Sequence, residues 1–207
     1  MRPGSVQGYY FITGGDLSRR GDISDVRAAI SAGVKIVQYR DKGSDSAVMY
    51  LKARELKRLC KNALFLVNDR VDIALAVNAD GVHLGQHDLP LAVARKLMGK
   101  EKIIGVSVST ISEAASAVRG GADYLGIGPV YATTTKIDAA RPVGVELIKK
   151  VKARFDIPVV VIGGISIDNA PSVIAAGADA LCAISAVITK AGVCRKIRGF
   201  QSFFVSK

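Results

Sequence analysis

The stretch Pro158-Val159-Val160-Val161-Ile162-Gly163-Gly164-Ile165 is a run of consecutive apolar residues that ends at two glycines. An apolar run without polar alternation is typical of a parallel strand that is covered on both faces. Short apolar runs recur along the chain, and longer amphipathic stretches separate them. We predict eight strands, at residues 9–13, 36–39, 64–67, 81–84, 103–107, 124–128, 158–162 and 180–184.

The segments between these strands show apolar residues at helical spacing. After residue 110, for example, apolar side chains share one helical face, and Thr110 with Glu113 has the spacing of a capping box. Repeated strand–helix units require parallel strands joined by right-handed crossovers. Eight units in 207 residues favour a closed barrel with short loops, since about 200 residues is the lower limit for that fold. We therefore predict an α/β protein, one (β/α)8 TIM barrel that forms a single domain over residues 1–207.

A weak internal repeat supports the barrel. The sequences Asn78-Ala79-Asp80-Gly81, Gly121-Ala122-Asp123 and Gly177-Ala178-Asp179 each precede an even-numbered strand, and Ala32-Gly33-Val34 takes the same position before the second strand. A glycine here would end the preceding helix in a left-handed turn. The repeat is therefore interpreted as structural.

The composition excludes several classes of protein. Hydrophobic residues make up 49% and charged residues 23%, as in ordinary globular proteins. No apolar run approaches the roughly 18 residues of a membrane span, and the first residues lack the apolar stretch of a secretory signal. Three cysteines without a CxxC pair argue against a disulfide framework. We expect a reduced, cytoplasmic protein that does not bind membranes.

The net charge of +11 favours anionic ligands. Nucleic acid is one candidate, but the aromatic residues are not interleaved with a basic stripe as in single-strand binders. Basic clusters at residues 52–61 and 149–154 are typical of solvated helix faces. Phosphorylated small molecules fit the charge equally well, so charge alone leaves both partners open.

The residues that follow each strand carry the chemistry, because active sites of such barrels lie at the carboxyl ends of the strands. After the second strand, alternation places Gln38, Arg40 and Lys42 on one side. Two adjacent cations suit a diphosphate, since Arg offers a bidentate fork and Lys a point charge. A solvated strand end, with Asp41 paired to Arg40, is the alternative.

Two acidic residues follow neighbouring strands, Asp69 after Asn68 and Asp88 after the fourth strand. Carboxylates that meet at a barrel mouth could hold Mg²⁺, which takes oxygen ligands and retains water or substrate phosphate. Each aspartate could instead cap the helix that follows it. His83 lies inside a strand and is interpreted as a barrel histidine with satisfied hydrogen bonds rather than a zinc ligand.

Two further features point to phosphate. The long loop after the sixth strand contains Thr133-Thr134-Thr135-Lys136, whose hydroxyls and ammonium could bind phosphate oxygens; a plain surface turn is the alternative. The last two strands are followed by Gly163-Gly164 and by Ile184-Ser185, and barrels often bind phosphate between these loops. A tight turn would account for the glycines equally well.

In their order, these motifs resemble the thiamine-phosphate synthase family over roughly residues 8–190. The motifs that carry the resemblance are Gln38-Tyr39-Arg40-Asp41-Lys42, Asn68-Asp69-Arg70, Gly81-Val82-His83-Leu84-Gly85-Gln86-His87-Asp88, Gly105-Val106-Ser107, Thr133-Thr134-Thr135-Lys136 and Ile162-Gly163-Gly164-Ile165. The family joins a pyrimidine diphosphate to a thiazole phosphate and releases diphosphate.

The resemblance implies a role for each matching residue. The pyrimidine diphosphate would be bound by Gln38, Tyr39, Arg40, Asp41, Lys42, Asn68, Ser107 and Lys136. The thiazole phosphate would be bound by Thr133, Thr134, Thr135, Gly164, Ile184 and Ser185. Asp69 and Asp88 would hold Mg²⁺, and Arg40, Lys42 and Lys136 would stabilise the departing diphosphate in a dissociative reaction.

Two rival functions remain. A thiazole tautomerase on the same fold would bind thiazole phosphate without expelling diphosphate, and such relatives tend to lose the basic and acidic motifs present here. A non-catalytic barrel would bind phosphate ligands or nucleic acid through charge. We expect small phosphorylated substrates and no nucleic acid, in a monomer or small homo-oligomer.

Overall fold

The computed structural model describes residues 6–133 and 141–204, in which eight parallel strands close into a barrel in sequence order. This confirms the predicted (β/α)8 fold. The strands are β1 (Gly8–Ile12), β2 (Ile36–Tyr39), β3 (Leu64–Asn68), β4 (Gly81–Leu84), β5 (Ile103–Val108), β6 (Tyr124–Ile127), β7 (Val159–Ile162) and β8 (Ala180–Cys182).

Helices follow the strands on the outside of the barrel. They are α1 (Asp22–Ser31), α2 (Ser46–Leu59), α3 (Val71–Ala76), α4 (Leu91–Met98), α5 (Ile111–Arg119), α6 (Gly144–Lys152), α7 (Ala170–Ala175), α8 (Ile184–Ile188) and α9 (Val193–Gln201). The capping box is confirmed, since the Thr110 side chain accepts a hydrogen bond from the Glu113 amide at the start of α5.

The predicted strand boundaries agree with the structure to within two residues. The largest difference is at the last strand, which was expected to reach Ile184. Its pairing with β7 ends where Ile162 lies opposite Cys182, and Ile184 is already the first residue of α8. The side chains at this end of β8 therefore belong to a strand-to-helix turn, which suits a binding site better than a paired strand.

The core has two layers, because alternate residues of each strand face opposite sides. One layer fills the barrel and includes Tyr10, Leu66 and Tyr124. The other packs between the strands and the helices and includes Phe65 and Leu125. The last helix, α9, is followed by a short 3₁₀ turn.

The aspartates of the internal repeat have a role that their spacing alone did not reveal. Each carboxylate accepts a hydrogen bond from the backbone amide of the neighbouring strand and pairs with a basic side chain of the helix that precedes that neighbouring strand. Asp80 binds the Phe65 amide at 2.7 Å and Lys57 at 2.6 Å. The corresponding contacts are Asp123 with the Ile104 amide and Arg95, and Asp179 with the Val159 amide and Lys152. These contacts tie even-numbered helices to the amino ends of the strands.

The turns of the repeat are left-handed as predicted, with φ of 84° at Gly33, 81° at Gly121 and 103° at Gly177. All three cysteines are free. Within the two described ranges, no helix has both the length and the apolar character needed to span a bilayer.

Candidate active site at the carboxyl end of the barrel

A cavity of about 440 Å³ opens where the strands end at their carboxyl side. Residues from the end of every strand, or from the loop after it, contribute to its lining. Position in the barrel therefore brings together segments that are far apart in sequence.

The residues after β2 divide between two faces. Gln38, Arg40 and Lys42 line the cavity, as their alternation predicts. Tyr39 and Asp41 do not line it, so the structure does not support the pyrimidine contact expected of them. Tyr39 is buried on the outer face of the barrel, and its hydroxyl donates to Asp41 at 2.9 Å.

The loop after β2 is held by Asp41 rather than by an Arg40–Asp41 pair. The Asp41 carboxylate accepts from the amides of Gly43 and Ser44. Although burial opposes ionisation most strongly, these bonds outweigh it and lower the pKa of Asp41 to about 2. Arg40 is fixed through its backbone, whose amide donates to the buried Thr13 hydroxyl at 2.9 Å. The Arg40 guanidinium is therefore available to line the cavity.

The two acidic residues meet at the cavity mouth. The Asp69 and Asp88 carboxylates are close enough to influence each other's ionisation, and Lys42 forms an ion pair with Asp69. Burial and then the adjacent Asp88 raise the pKa of Asp69, whereas Lys42 lowers it. Burial also disfavours the Asp88 charge, but contact with Asp69 and the Gly85 amide outweighs it and lowers the pKa of Asp88. Of the two carboxylates, Asp69 is therefore the one whose ionisation burial and its acidic neighbour disfavour.

Neither aspartate caps a helix. The residue before α3 is Arg70 and the residue before α4 is Pro90, and neither helix has a side-chain cap. Asp69 instead occupies the left-handed region at φ 61°, which is sparsely populated by residues other than glycine and costs free energy. This backbone conformation directs the carboxylate to the mouth of the barrel.

The pair fits a hard divalent cation. Mg²⁺ is usually bound by one or two carboxylates and completes its shell with water and substrate phosphate. Nowhere in the described part of the chain do three His, Cys, Asp or Glu side chains cluster as a cation site. Two carboxylates beside a cavity with basic walls would suit an ion that shares its coordination with a bound phosphate.

The opposite wall contains four of the residues expected to bind the second phosphate. Thr133, Gly164, Ile184 and Ser185 all line the cavity. Thr134, Thr135 and Lys136 lie outside the described residues, so their predicted roles remain predictions.

The two glycines after β7 are required by packing as well as by turn geometry. A Cβ on Gly164 would lie 2.5 Å from the Ala132 carbonyl oxygen, and a Cβ on Gly163 would lie 2.5 Å from Pro129. The Tyr131 amide also donates to the Gly163 carbonyl at 3.0 Å. The loop after β6 therefore rests directly on Gly163 and Gly164, which places Thr133 at the cavity.

The floor of the cavity contains polar groups that the sequence motifs only partly indicated. Tyr10, Gln38, His83, Ser107 and Tyr124, hereafter the interior network, are joined by hydrogen bonds. His83 is thus a satisfied barrel histidine, as predicted, and burial lowers its pKa to about 4. Tyr124 was not predicted as a site residue, because the only sequence signal for it was its position on the interior-facing side of an apolar strand.

The chain was compared with protein families and with known proteins, and the matches agree with a phosphate-binding site at the barrel mouth. The family model described as thiamine monophosphate synthase matches residues 9–187. A thiamine-phosphate synthase of Methanosarcina barkeri is 50% identical over 193 residues, covering 93% of this chain and 88% of the relative. One from Methanospirillum hungatei is 51% identical over 185 residues, covering 88% of this chain and 90% of the relative.

A solved structure shows the same similarity in three dimensions. The thiamine phosphate pyrophosphorylase from Pyrococcus furiosus superposes with a TM-score of 0.84 at 40% sequence identity, covering 95% of this chain and 94% of that one.

Proposed function

The chain belongs to the thiamine monophosphate synthase family and is a transferase that makes thiamine phosphate, and we propose that the barrel mouth carries out this reaction on a pyrimidine diphosphate and a thiazole phosphate. The observation that supports the site most directly is the convergence of two cations and two carboxylates on one cavity. Arg40, Lys42, Asp69 and Asp88 all line it. Charges of both signs at one mouth suit an anion that binds together with a divalent cation.

The substrates would lie across the cavity. The pyrimidine ring would bind at the floor beside Gln38 and Ser107, and its diphosphate would extend to Arg40, Lys42 and Asn68 at the mouth. The thiazole phosphate would bind at the opposite wall, near Thr133, Gly164 and Ser185. All of these residues line the same cavity, which allows the two substrates to be adjacent.

In the proposed reaction the bond between the pyrimidine methylene carbon and the diphosphate oxygen breaks first. The electron pair leaves with diphosphate, and the electron-rich aminopyrimidine stabilises the resulting cation. The thiazole nitrogen then donates its lone pair to the methylene carbon. No protein nucleophile is needed, and the side chains act by orienting both rings and by stabilising the negative charge that develops on the leaving group.

Arg40 and Lys42 supply that charge from the protein. Asp69 and Asp88 would hold Mg²⁺, which when bound neutralises part of the diphosphate charge. The lysine–aspartate pair seen here also keeps Lys42 at the mouth, ready to contact an anion. Lys136 is proposed as a third cation from its sequence motif alone.

The test is direct. Both phosphorylated precursors are mixed with the chain and Mg²⁺, and formation of thiamine phosphate and diphosphate is followed. We expect equal amounts of both products and loss of the reaction when a chelator is added. Isomerisation of thiazole phosphate without diphosphate release would instead support a tautomerase. Steeply salt-dependent binding to unrelated polyanions, with no turnover, would support a non-catalytic barrel.

A further inference from the structure

The interior network crosses the barrel beneath the cavity through four hydrogen bonds. The Gln38 Nε2 lies 2.8 Å from the Tyr10 hydroxyl, which lies 2.8 Å from the Tyr124 hydroxyl. The Tyr124 hydroxyl lies 2.8 Å from His83 Nδ1, and His83 Nε2 lies 2.9 Å from the Ser107 hydroxyl. The network thus begins and ends at cavity-lining side chains, Gln38 and Ser107.

The direction of donation along the network follows from counting protons. The Gln38 Nε2 can only donate, so the Tyr10 hydroxyl accepts there. Tyr10 has one proton of its own, and among the described residues its only other hydrogen-bond partner is Tyr124. Tyr10 therefore donates to Tyr124.

The same reasoning continues to the other end. Tyr124 has accepted from Tyr10 and donates its own proton to His83 Nδ1. A neutral imidazole that accepts at Nδ1 carries its proton on Nε2 and donates it to Ser107. The reverse direction would leave the proton of Tyr10, a residue only 1% exposed, without an acceptor, which is costly in a buried position.

This direction determines what the cavity floor presents to a ligand. Ser107 accepts from His83, so its own proton remains available for donation. Gln38 donates inward, so its Oε1 remains as an acceptor. A ring edge with one N–H donor and one unprotonated ring nitrogen, as in a 4-aminopyrimidine, matches these two groups. A 4-oxo analogue presents the opposite pattern and would leave polar groups unpaired.

We infer that Tyr124 and His83 are positioning residues, which fix the Nε2–H tautomer of His83 so that Ser107 donates its proton to the pyrimidine ring. This inference rests on the proposed function for the identity of the ring. Neither positioning residue needs to touch the reacting atoms, since both act through Ser107.

Two glycines show that the barrel makes room for this arrangement. A Cβ on Gly105 would lie 2.4 Å from the Tyr124 hydroxyl, and a Cβ on Gly126 would lie 2.8 Å from His83 Cε1. These positions face the network because Gly105 is in register with both Tyr124 and His83. Any larger residue would have to displace one of the two rings.

The spectroscopic test uses ¹⁵N NMR of the histidine rings, which is simple because the chain contains only two histidines. In the unmodified chain we expect His83 to show a protonated Nε2 and an unprotonated Nδ1. Gln38→Glu replaces the first donor by an acceptor of the same shape, so it should reverse every bond and move the proton to Nδ1. In a Tyr124→Phe background, which interrupts the network, Gln38→Glu should no longer move it.

Tyr9→Phe is the matched control. It removes a buried tyrosine hydroxyl that donates to the Ala183 carbonyl outside the network, and should leave the His83 tautomer unchanged. A Nδ1–H tautomer in the unmodified chain would overturn the inference even if no variant folds. So would a Gln38→Glu spectrum equal to that of the unmodified chain, or a shift that persists when Tyr124 is Phe.

A kinetic test addresses the role of the network in binding. Tyr124→Phe should raise KM for the pyrimidine diphosphate about fivefold, the effect of weakening one hydrogen bond, with a smaller change in kcat. In a Ser107→Ala background the same substitution should add nothing, because its target is gone. Additive effects would refute action through Ser107. If the unmodified chain makes no thiamine phosphate, the proposed function fails, whereas the His83 spectrum still tests the direction of the network.

Discussion

Lys42 offers the sharpest test of the charge that the barrel mouth supplies. Its side chain is 54% exposed, and the contact that holds it in the structure is the ion pair with Asp69. Although the Asp69 side chain is only 17% exposed, the ammonium of Lys42 faces solvent, so the pair should contribute only about 1 kcal/mol to the free energy of unfolding. Lys42→Ala should therefore leave the barrel folded, with a small change in Tm.

The expected effect on the rate is larger. A unit charge 4 Å from a phosphate charge is worth about 4 kcal/mol at an effective dielectric of 20. Solvent and salt at an open mouth would reduce this to roughly 1.5–2 kcal/mol, which corresponds to a loss of kcat of about 10- to 30-fold. Lys42 also lowers the pKa of Asp69, so its removal should move the acid limb of the pH–rate profile to higher pH.

Lys149→Ala is a matched control. Lys149 is 56% exposed, close to the exposure of Lys42, and pairs with Glu146 on the outer helix α6, so Lys149→Ala removes a lysine of similar exposure and its ion pair far from the cavity. The assay measures thiamine phosphate formation at saturating precursors and Mg²⁺, with thermal unfolding recorded in parallel. If Lys42→Ala loses no more rate than Lys149→Ala, or loses rate only in proportion to unfolded protein, Lys42 does not stabilise the leaving group.

Three further predictions concern the Mg²⁺ site, the aspartates at the amino ends of the strands and the loop after β6. Asp69→Asn and Asp88→Asn should each raise the Mg²⁺ concentration for half-maximal rate about 10- to 100-fold. Because the pKa of Asp69 is raised, Mg²⁺ affinity should also weaken as the pH falls. A Mg²⁺ titration that does not depend on pH would contradict this. Asp123→Ala should lower the free energy of unfolding by about 2 kcal/mol, because it leaves the Ile104 amide unpaired. Asp123→Asn keeps an acceptor oxygen and should cost less than about 1 kcal/mol in chemical denaturation; equal losses would assign the effect to charge. Lys136→Ala should slow turnover by more than about tenfold without lowering Tm, and near-normal turnover would refute its predicted role.

The parts of the site that could be predicted from the sequence are those set by local rules. Parity along one strand placed Gln38, Arg40 and Lys42 on the cavity side, and it also indicates that Tyr39 faces the helices. The expected Tyr39 contact came instead from adjacency within a motif, and it is not supported by the structure. Asp69 and Asp88 could be paired from sequence because they follow neighbouring strands, and neighbours along this chain are also neighbours in the barrel.

The interior network could not be predicted in this way, because it depends on contacts across the closed barrel. Tyr10 and Tyr124 are 114 residues apart and lie on β1 and β6, which are not adjacent strands. Their contact depends on the width of the barrel and on the side chains opposite them. Motif spacing carries neither kind of information.

Small residues provide the information that spacing lacks. A Cβ at Gly105 would lie 2.0 Å from the Tyr124 ring. A larger residue at position 105 would therefore require a smaller one at position 124. The same applies to Gly126 and His83. A strand such as Tyr124–Ile127, with a glycine among the residues that face the interior, therefore marks a place where a ring from another strand enters the barrel. On this reasoning, the glycines of β5 and β6 identify the polar floor of the site as much as the tyrosine and histidine themselves do.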